Sequence, residues 1–306
     1  MGFKSLIKSS FWGRFAISEL HCFESWLLPK LVDDETAVKR FYKKMANKEL
    51  DLNNPQGLNE KMNWYKLNAR NPLMQQCADK YAVRDYVTSK GYGDCLNGLL
   101  AVYNKVADIH LDELPDRFVL KAAHGSHMNI IVNNNKHEIN WFQQRLLMRT
   151  WLKQDIYWSG REWVYKDIPR RIIAEEYLED DNNELVDYKF FCFNGVPCFM
   201  YYAGGRKADK LFFNFYDMDM NFINVSEIHS PNNPDVEMPI SRDTFEKMKT
   251  MAKDLSKPFQ EVRVDFYVLG SKIYFGEMTF FSGGGFHTFE PKEYDKIWGD
   301  YWKIEK

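Results

Sequence analysis

The chain has 306 residues, of which 45% are hydrophobic and 27% charged, and its formal net charge is −2. That composition specifies a folded globular protein of one large or two ordinary domains; it excludes disorder and the overall basic field of a general nucleic-acid binder. The five cysteines (Cys22, Cys77, Cys95, Cys192, Cys198) are odd in number and lack C-x-x-C spacing, so neither a zinc site nor a disulfide framework is expected and a reducing, cytoplasmic setting is.

In chain order, Met1 to Arg14 sets Lys4, Lys8 and Arg14 among Phe3, Leu6, Ile7, Phe11 and Trp12, without the continuous apolar stretch of a signal peptide. Two readings stand: a helix packed on the body of the protein, or a basic amphipathic segment making peripheral contact with the inner face of the cell membrane. Residues 1–75 read as a helical region, with Val38, Phe41, Tyr42 and Met45 at helical spacing. Leu73 to Lys90 reads as one helix stopped by Gly91. Phe118 to Lys121 and Asn129 to Val132 read as strands around a small-residue loop, and Ile139 to Lys153 as a helix. Arg171 to Leu178 is a strand entering an acidic turn, Glu179 to Glu184.

Asp187 to Phe193 and Val196 to Tyr202 flank Asn194-Gly195, the strongest short hairpin signal. A two-residue loop there sets Cys192 against Pro197 and Cys198 against Phe191. Leu211 to Tyr216 is a further strand, Pro231 to Pro239 a loop, and Ser241 the N-cap of a helix to Lys257. A short helix starts after Pro291. Hairpins separated by helices define an α+β protein with antiparallel sheets.

The remaining hairpin carries the chemistry. Val262, Val264, Phe266 and Val268 alternate with Arg263, Asp265 and Tyr267, and Ile273 to Phe280 returns after Gly270-Ser271. A three-residue loop, Gly270 to Lys272, sets Leu269 opposite Ile273, Asp265 opposite Glu277 and Arg263 opposite Thr279. Two carboxylates side by side repel unless a cation sits between them, and hard oxygen ligands suit Mg²⁺ with substrate phosphates. The plain alternative is a solvated face with two unrelated acids. Lys121 and Lys189 on strands, and the loop holding Gly125 and Ser126, suit phosphate oxygens, although strand lysines also simply reach to water. Walker A, G-x-G-x-x-G, H-R-D, D-F-G, G-x-S-x-G and H-E-x-x-H are all absent.

Leu58-Asn-Glu-Lys61, Ala78 to Arg84 (ADKYAVR), Phe118 to Lys121, Asp187 to Gly195, Val262 to Phe266 and Tyr274 to Thr279 together resemble the TupA-like branch of the ATP-grasp superfamily, over roughly residues 55–300. The resemblance implies two α+β subdomains clasping ATP behind a helical N-terminal region. Its boundaries would be 1–75 (helical region), 76–117 (linking segment), 118–174 (small subdomain) and 175–306 (large subdomain with the Mg²⁺ site). It implies an ATP- and Mg²⁺-dependent carboxylate–amine ligase of bacterial surface-polysaccharide biosynthesis, working through an acyl phosphate on small-molecule substrates: an amino acid and a uronic-acid sugar or glycan.

By the same resemblance, Lys121 meets the phosphates, the loop His124 to His127 (with Gly125 and Ser126) covers them, and Lys80 is a nucleotide or substrate contact. Glu175, Glu176, Tyr177 and Leu178 surround adenine and ribose, with the backbone of Glu176 and Leu178 reading the base. Lys189 is a second nucleotide lysine and a catalytic candidate, Arg263 steadies the acyl phosphate, and Asp265 and Glu277 hold Mg²⁺. Thr279 stands where the family pattern often has Asn, which puts a third metal ligand in question. Tyr201, Tyr202, Gly204, Gly205, Arg206, Asn214, Ser282, Gly283 and His287 are candidates for the acceptor side. Two other readings compete. Asp217-Met218-Asp219 after a strand matches the D-x-D of metal-dependent glycosyltransferases, and a polysaccharide-binding protein without catalysis needs neither acid pair.

Overall fold

The computed structural model describes residues 10–27, 31–179, 185–205, 210–227 and 230–305. The larger helices are α1 (Phe11–Leu27), α2 (Asp34–Ala46), α3 (Leu58–Asn68), α4 (Pro72–Ala78), α5 (Val83–Ser89), α6 (Trp141–Trp151), α7 (Arg242–Ser256) and α8 (Tyr294–Asp300). The strands are β1 (Leu99–Tyr103), β2 (Arg117–Ala122), β3 (Asn129–Asn133), β4 (Ile172–Glu176), β5 (Asp187–Phe193), β6 (Val196–Gly204), β7 (Phe212–Tyr216), β8 (Phe222–Ile223), β9 (Ser226–Glu227), β10 (Glu261–Leu269), β11 (Lys272–Thr279) and β12 (Phe289–Glu290). Every strand pairing is antiparallel, as the hairpin-rich sequence predicts.

The chain forms two compact units. Unit 1 comprises residues 1–37, 79–82 and 97–178. Its sheet has the order β1-β4-β2-β3. Phe118, Leu120 and Ala122 alternate inward on β2 and join Ile130, Val132, Ile172 and Ala174 in a core closed by Leu147, Met148 and Trp151 of α6. The other side of β2 carries Arg117, Val119 and Lys121, as period-2 alternation requires. Asn140 caps α6 by accepting from the Gln143 N–H at 3.2 Å.

Unit 2 comprises residues 38–78, 83–96 and 179–306, around a sheet of order β11-β10-β5-β6-β7-β8. Tyr188, Phe190, Cys192, Val262, Val264 and Phe266 share one face by register. α7 covers it with Phe245, Met248, Ala252 and Leu255, the Phe190 and Phe245 rings lying 5.6 Å apart. Ser241 caps α7, its Oγ accepting from the Thr244 N–H at 3.1 Å. The opposite face is aromatic at one end, where Phe199 stacks on Trp298 at 4.0 Å and Phe193 on Trp302 at 5.6 Å. At its other end it is charged.

The structure differs from the sequence expectations at several places, among them the β10–β11 loop, which has two residues and pairs Leu269 with Lys272. The helix expected over 73–90 is two helices, because the Asp79 carboxylate accepts from the Tyr81 N–H at 2.8 Å and from Arg171 at 2.8 Å, drawing residues 79–82 into unit 1. β1 was not foreseen. Residues 1–37 and 38–78 fall in different units, and β4 lies wholly in unit 1, across the expected 174/175 boundary. In the Asn194-Gly195 hairpin Cys192 does face Pro197, but a bulge makes Phe191 face Phe199, leaving Cys198 as the extra residue.

Candidate active site

In unit 2 the charged end of the sheet is built from β5, β10 and β11. Cross-strand register sets Asp265 between Lys189 on β5 and Glu277 on β11, and sets Arg263 opposite Thr279. Opposed residues share a face, so these side chains converge. Arg263 spans Asp265 as a fork, Nε to Oδ1 and Nη2 to Oδ2, both at 2.7 Å. Lys189 Nζ donates to Asp265 Oδ2 and pairs with Asp187 Oδ1 at 3.1 Å. The Arg263 fork also donates to Ser282 Oγ at 2.7 Å and Thr279 Oγ1 at 3.0 Å, and lies 3.5 Å from Glu277 Oε1. Asp265, Asp187, Lys189, Arg263 and Ser282 are buried, whereas the Glu277 side chain is 38% exposed.

Burial lowers the pKa of Lys189 and Arg263; the Asp265 carboxylate, with the other acids around it, more than offsets this, and both cations are held above their ordinary pKa ranges. Burial pushes the Tyr201 hydroxyl up, and Arg263, Lys189, Asp265 and Glu227 are its charged neighbours. Asp187, Tyr201 and Glu227 thus belong to this neighbourhood. Asp187 was not singled out from the sequence, although it lies two residues before Lys189 and so on the same face of β5.

Two carboxylates and a hydroxyl on opposed positions fit a hard divalent cation. Asp265 already has both oxygens engaged, so such a cation competes with Lys189 and Arg263 for it. Among the described residues no group of three or more His, Cys, Asp or Glu side chains could hold a metal, so further ligands would be water or phosphate oxygens.

The acceptor-side candidates divide. Ser282 belongs to the charged cluster through Arg263. Gly283, with φ +61°, lies against His287: a Cβ there would sit 3.0 Å from the ring. His287 Nδ1 meets Glu227 Oε1 at 2.6 Å, and the ring stacks on Phe289. Asn214 is fully buried; its amide donates to the carbonyls of Asn233 and Val236 and its Oδ1 accepts from the Asn233 N–H. It clamps the 231–239 loop, a structural task that occupies it in full. Tyr201 stacks on Phe213 at 4.5 Å, and the Gly205 carbonyl accepts from the Lys210 N–H at 3.0 Å. Arg206 lies outside the described residues.

In unit 1, Lys121 Nζ pairs with Glu175 Oε2 at 2.7 Å, so two expected nucleotide residues are joined to each other. The Glu176 N–H donates to the Gly98 carbonyl and its carbonyl accepts from Asn97 Nδ2, which leaves one carbonyl lone pair for any base. Tyr177 lies under the Arg117 guanidinium at 4.7 Å. Leu178 follows beyond the end of β4. The Lys80 N–H donates to the Ala123 carbonyl, joining that residue to the base of the 124–127 loop. His124 turns inward: its Nε2 lies 2.8 Å from the Trp151 carbonyl, and burial pushes its pKa down. Its ring is therefore committed to the body of unit 1 and anchors the loop. Ser126 and His127 are exposed, and Gly125 is buried against Met128 and Ile156, whose side chains a Cβ there would meet at 3.1 and 3.2 Å.

Asp217 closes the β7–β8 turn. Its Oδ1 accepts from the backbone of Asp219 and Asn221, and its Oδ2 from the Asn221 amide, all at 2.8 Å. Both oxygens of the first acid of the D-x-D are thus engaged in an ordinary Asx turn.

The TupA-like ATPgrasp family matches this chain over residues 60–303, and the chain belongs to that family. Among solved structures it is similar to the D-alanine–D-alanine ligase of Helicobacter pylori, with 14% identity and a TM-score of 0.38 over 69% of this chain and 53% of that one. It is similar to the L-amino acid ligase of Bacillus licheniformis, with 13% identity and a TM-score of 0.43 over 84% and 56%. The N5-carboxyaminoimidazole synthase of Aspergillus clavatus, in complex with ADP and an aminoimidazole ribonucleotide, matches with 12% identity and a TM-score of 0.36 over 67% and 44%. The chain spans about half the length of these structures. No curated protein matches it.

Proposed function

We propose that this protein is an ATP-dependent carboxylate–amine ligase that forms an amide through an acyl phosphate. The observation that carries the reading is the Lys189–Asp265–Arg263 cluster with Glu277 and Thr279 on the opposed strand, in a chain of the TupA-like ATPgrasp family. Phosphoryl transfer needs positioning and charge neutralisation more than covalent help from the protein. By the family resemblance, Lys121 would contact the phosphates and Lys80 the nucleotide or the substrate. Glu277, Asp265 and Thr279 would hold Mg²⁺, which when bound neutralises phosphate charge. Arg263 and Lys189 hold Asp265 in place, and their positive charge favours the oxygens of an acyl phosphate. The substrate carboxylate attacks the γ-phosphorus and ADP leaves; an amine then attacks the acyl carbon and phosphate leaves.

The substrate class follows from the family resemblance: an amino acid joined to a uronic-acid sugar or glycan of a bacterial surface polysaccharide such as capsule. The direct test is ADP release from ATP and Mg²⁺ across a panel of amino acids with uronic-acid acceptors, with mass spectrometry of the product. An amide product dependent on both substrates supports the reading. Transfer of sugar from a nucleotide sugar, lost in Asp217→Asn, would overturn it in favour of a glycosyltransferase.

A further inference from the structure

Beside the charged cluster, unit 2 holds a second polar arrangement that the proposed phosphoryl chemistry does not use. His287 follows the Ser282–Gly285 turn, and its side chain is only 6% exposed. Asn59 of α3 clamps both of its backbone groups: the His287 N–H donates to Asn59 Oδ1 at 2.7 Å, and Asn59 Nδ2 donates to the His287 carbonyl at 2.8 Å. The ring stacks on Phe289 of β12 at 5.1 Å. Register sets Phe289 opposite Glu227 of β9, and Glu227 Oε1 lies 2.6 Å from His287 Nδ1. An ionised carboxylate only accepts, so Nδ1 carries the ring proton and, in the neutral ring, Nε2 carries the lone pair. Nε2 is buried and has no hydrogen-bond partner among the described residues. A buried polar atom left unpaired costs about 1–3 kcal/mol, so a ring fixed this firmly with one nitrogen left over calls for a use. A lone pair aimed by a carboxylate on the other ring nitrogen is the form of a general base.

Its position gives that base something to act on. Ser282 Oγ accepts from Arg263 Nη1 at 2.7 Å, and the next residue, the exposed Gly283, lies against the His287 ring. A Cβ on Gly283 would lie 3.1 Å from Nε2, so the room left by the missing side chain borders that atom. Phe191, the cross-strand partner of Arg263, meets the same ring edge-on, with centroids 5.9 Å apart. Phe191 on one side and Ser282-Gly283 on the other thus join His287 to the guanidinium that favours the acyl phosphate.

We infer that His287 is the base that takes the proton of the attacking amine, with Glu227 and Asn59 as positioning residues. The inference rests on the ligase reading and supplies a step which that reading leaves open. The amine of an amino acid is mostly an ammonium ion at neutral pH and has no free electron pair. It reaches Nε2 through the room beside Gly283, and Nε2 takes one of its protons. The freed pair on nitrogen forms the C–N bond, and the C–O bond to phosphate breaks with its pair leaving on the phosphate. The departing phosphate takes the second amine proton, and His287 returns its own to water.

The test compares that amine with one that needs no base. Hydroxylamine is uncharged at neutral pH and captures an acyl phosphate directly as a hydroxamate. The full chain is given ATP, Mg²⁺, glucuronic acid and a mixture of the common amino acids, with and without hydroxylamine, and both products are measured by mass spectrometry. His287→Gln is expected to slow amide formation by about 10²–10⁴-fold, the range of a general base, while the hydroxamate still forms. Glu227→Gln should lower the amide-to-hydroxamate ratio in the same direction by a smaller factor. Melting curves verify that the variants fold; if His287→Gln does not, Glu227→Gln, which removes charge at nearly constant size, decides by the same ratio. Two results would overturn the inference: an unchanged ratio in the folded variants, or an equal loss of both products, which marks a structural role. Neither product from the unmodified protein is a different result, which overturns the ligase reading and this inference with it.

Discussion

Asp265 and Glu277 face each other across β10 and β11 although the loop between the strands has two residues rather than three. Leu269 pairs with Lys272 and Phe266 with Phe275, a register that would set Asp265 opposite Gly276. A bulge at Gly276 absorbs one residue and returns Glu277 to its place. A Cβ on Gly276 would lie 2.9 Å from the Asp265 carbonyl and 3.2 Å from the Tyr267 ring. Gly276→Ala is therefore expected to cost about 1–3 kcal/mol, as overpacking does, and to reduce ADP release. A melting curve and activity equal to those of the unmodified protein would refute this role for the bulge.

The two carboxylates should respond differently to removal. Asp265→Ala strands two buried cations, a loss of about 3–5 kcal/mol when one partner of a buried pair is removed. Glu277 is partly exposed, and Glu277→Gln should stay within about 1 kcal/mol of the parent in stability, as exposed pairs do, while abolishing ADP release. Denaturant titration beside an ADP assay separates the two; equal destabilisation by both changes would contradict the assignment.

Asn214 offers a stability test away from the chemistry. Asn214→Leu leaves the Asn233 N–H and the Asn233 and Val236 carbonyls without their partner, at about 1–3 kcal/mol for each buried group left unsatisfied. Amide hydrogen exchange should rise across residues 231–239 and remain unchanged in β10; uniform exchange across the loop would show that the clamp is dispensable.

His124 supplies a pH dependence. Its folded pKa lies below the ordinary histidine value of about 6.5, because burial disfavours the charged ring. Above that value both folded and unfolded chains hold it neutral and it contributes nothing to the slope. As pH falls below it, the unfolded chain takes up a proton that the folded chain refuses, so stability is lost until the folded pKa is passed. Compared with His124→Gln, the unmodified protein should lose more melting temperature between about pH 7.5 and 5.5. Parallel slopes for the two would discount the effect.

Hairpin chemistry and strand alternation were legible from the chain, since both are local. Asn194-Gly195 announces its turn, and the apolar period of β10 places Arg263 and Asp265 on one face. The Asp265–Glu277 pairing was read correctly from a loop one residue too long, and Gly276 supplied the compensation. The Asp79 interruption was not legible, because its cause is Arg171, 92 positions away. The inward turn of His124 and the Asn214 clamp were hidden for the same reason: both are settled by partners distant in sequence. Local patterns report which face a side chain takes; what already occupies that face is tertiary information.

The division of the chain between its units has a consequence for synthesis. Unit 1 has its last strand once residue 176 is made, whereas β5 cannot pair with β10 until residues near 261 exist. The α3 side chains Met62, Trp64 and Tyr65, and the partners of Lys61 and Lys66 at Trp302 and Gly284, are separated by more than 200 residues. At about 5–20 residues per second, that helix waits on the order of ten seconds or more beside the ribosome for its counterpart. Slow-codon or chaperone-depleted expression should therefore lose unit 2 to aggregation while unit 1, complete earlier, still forms.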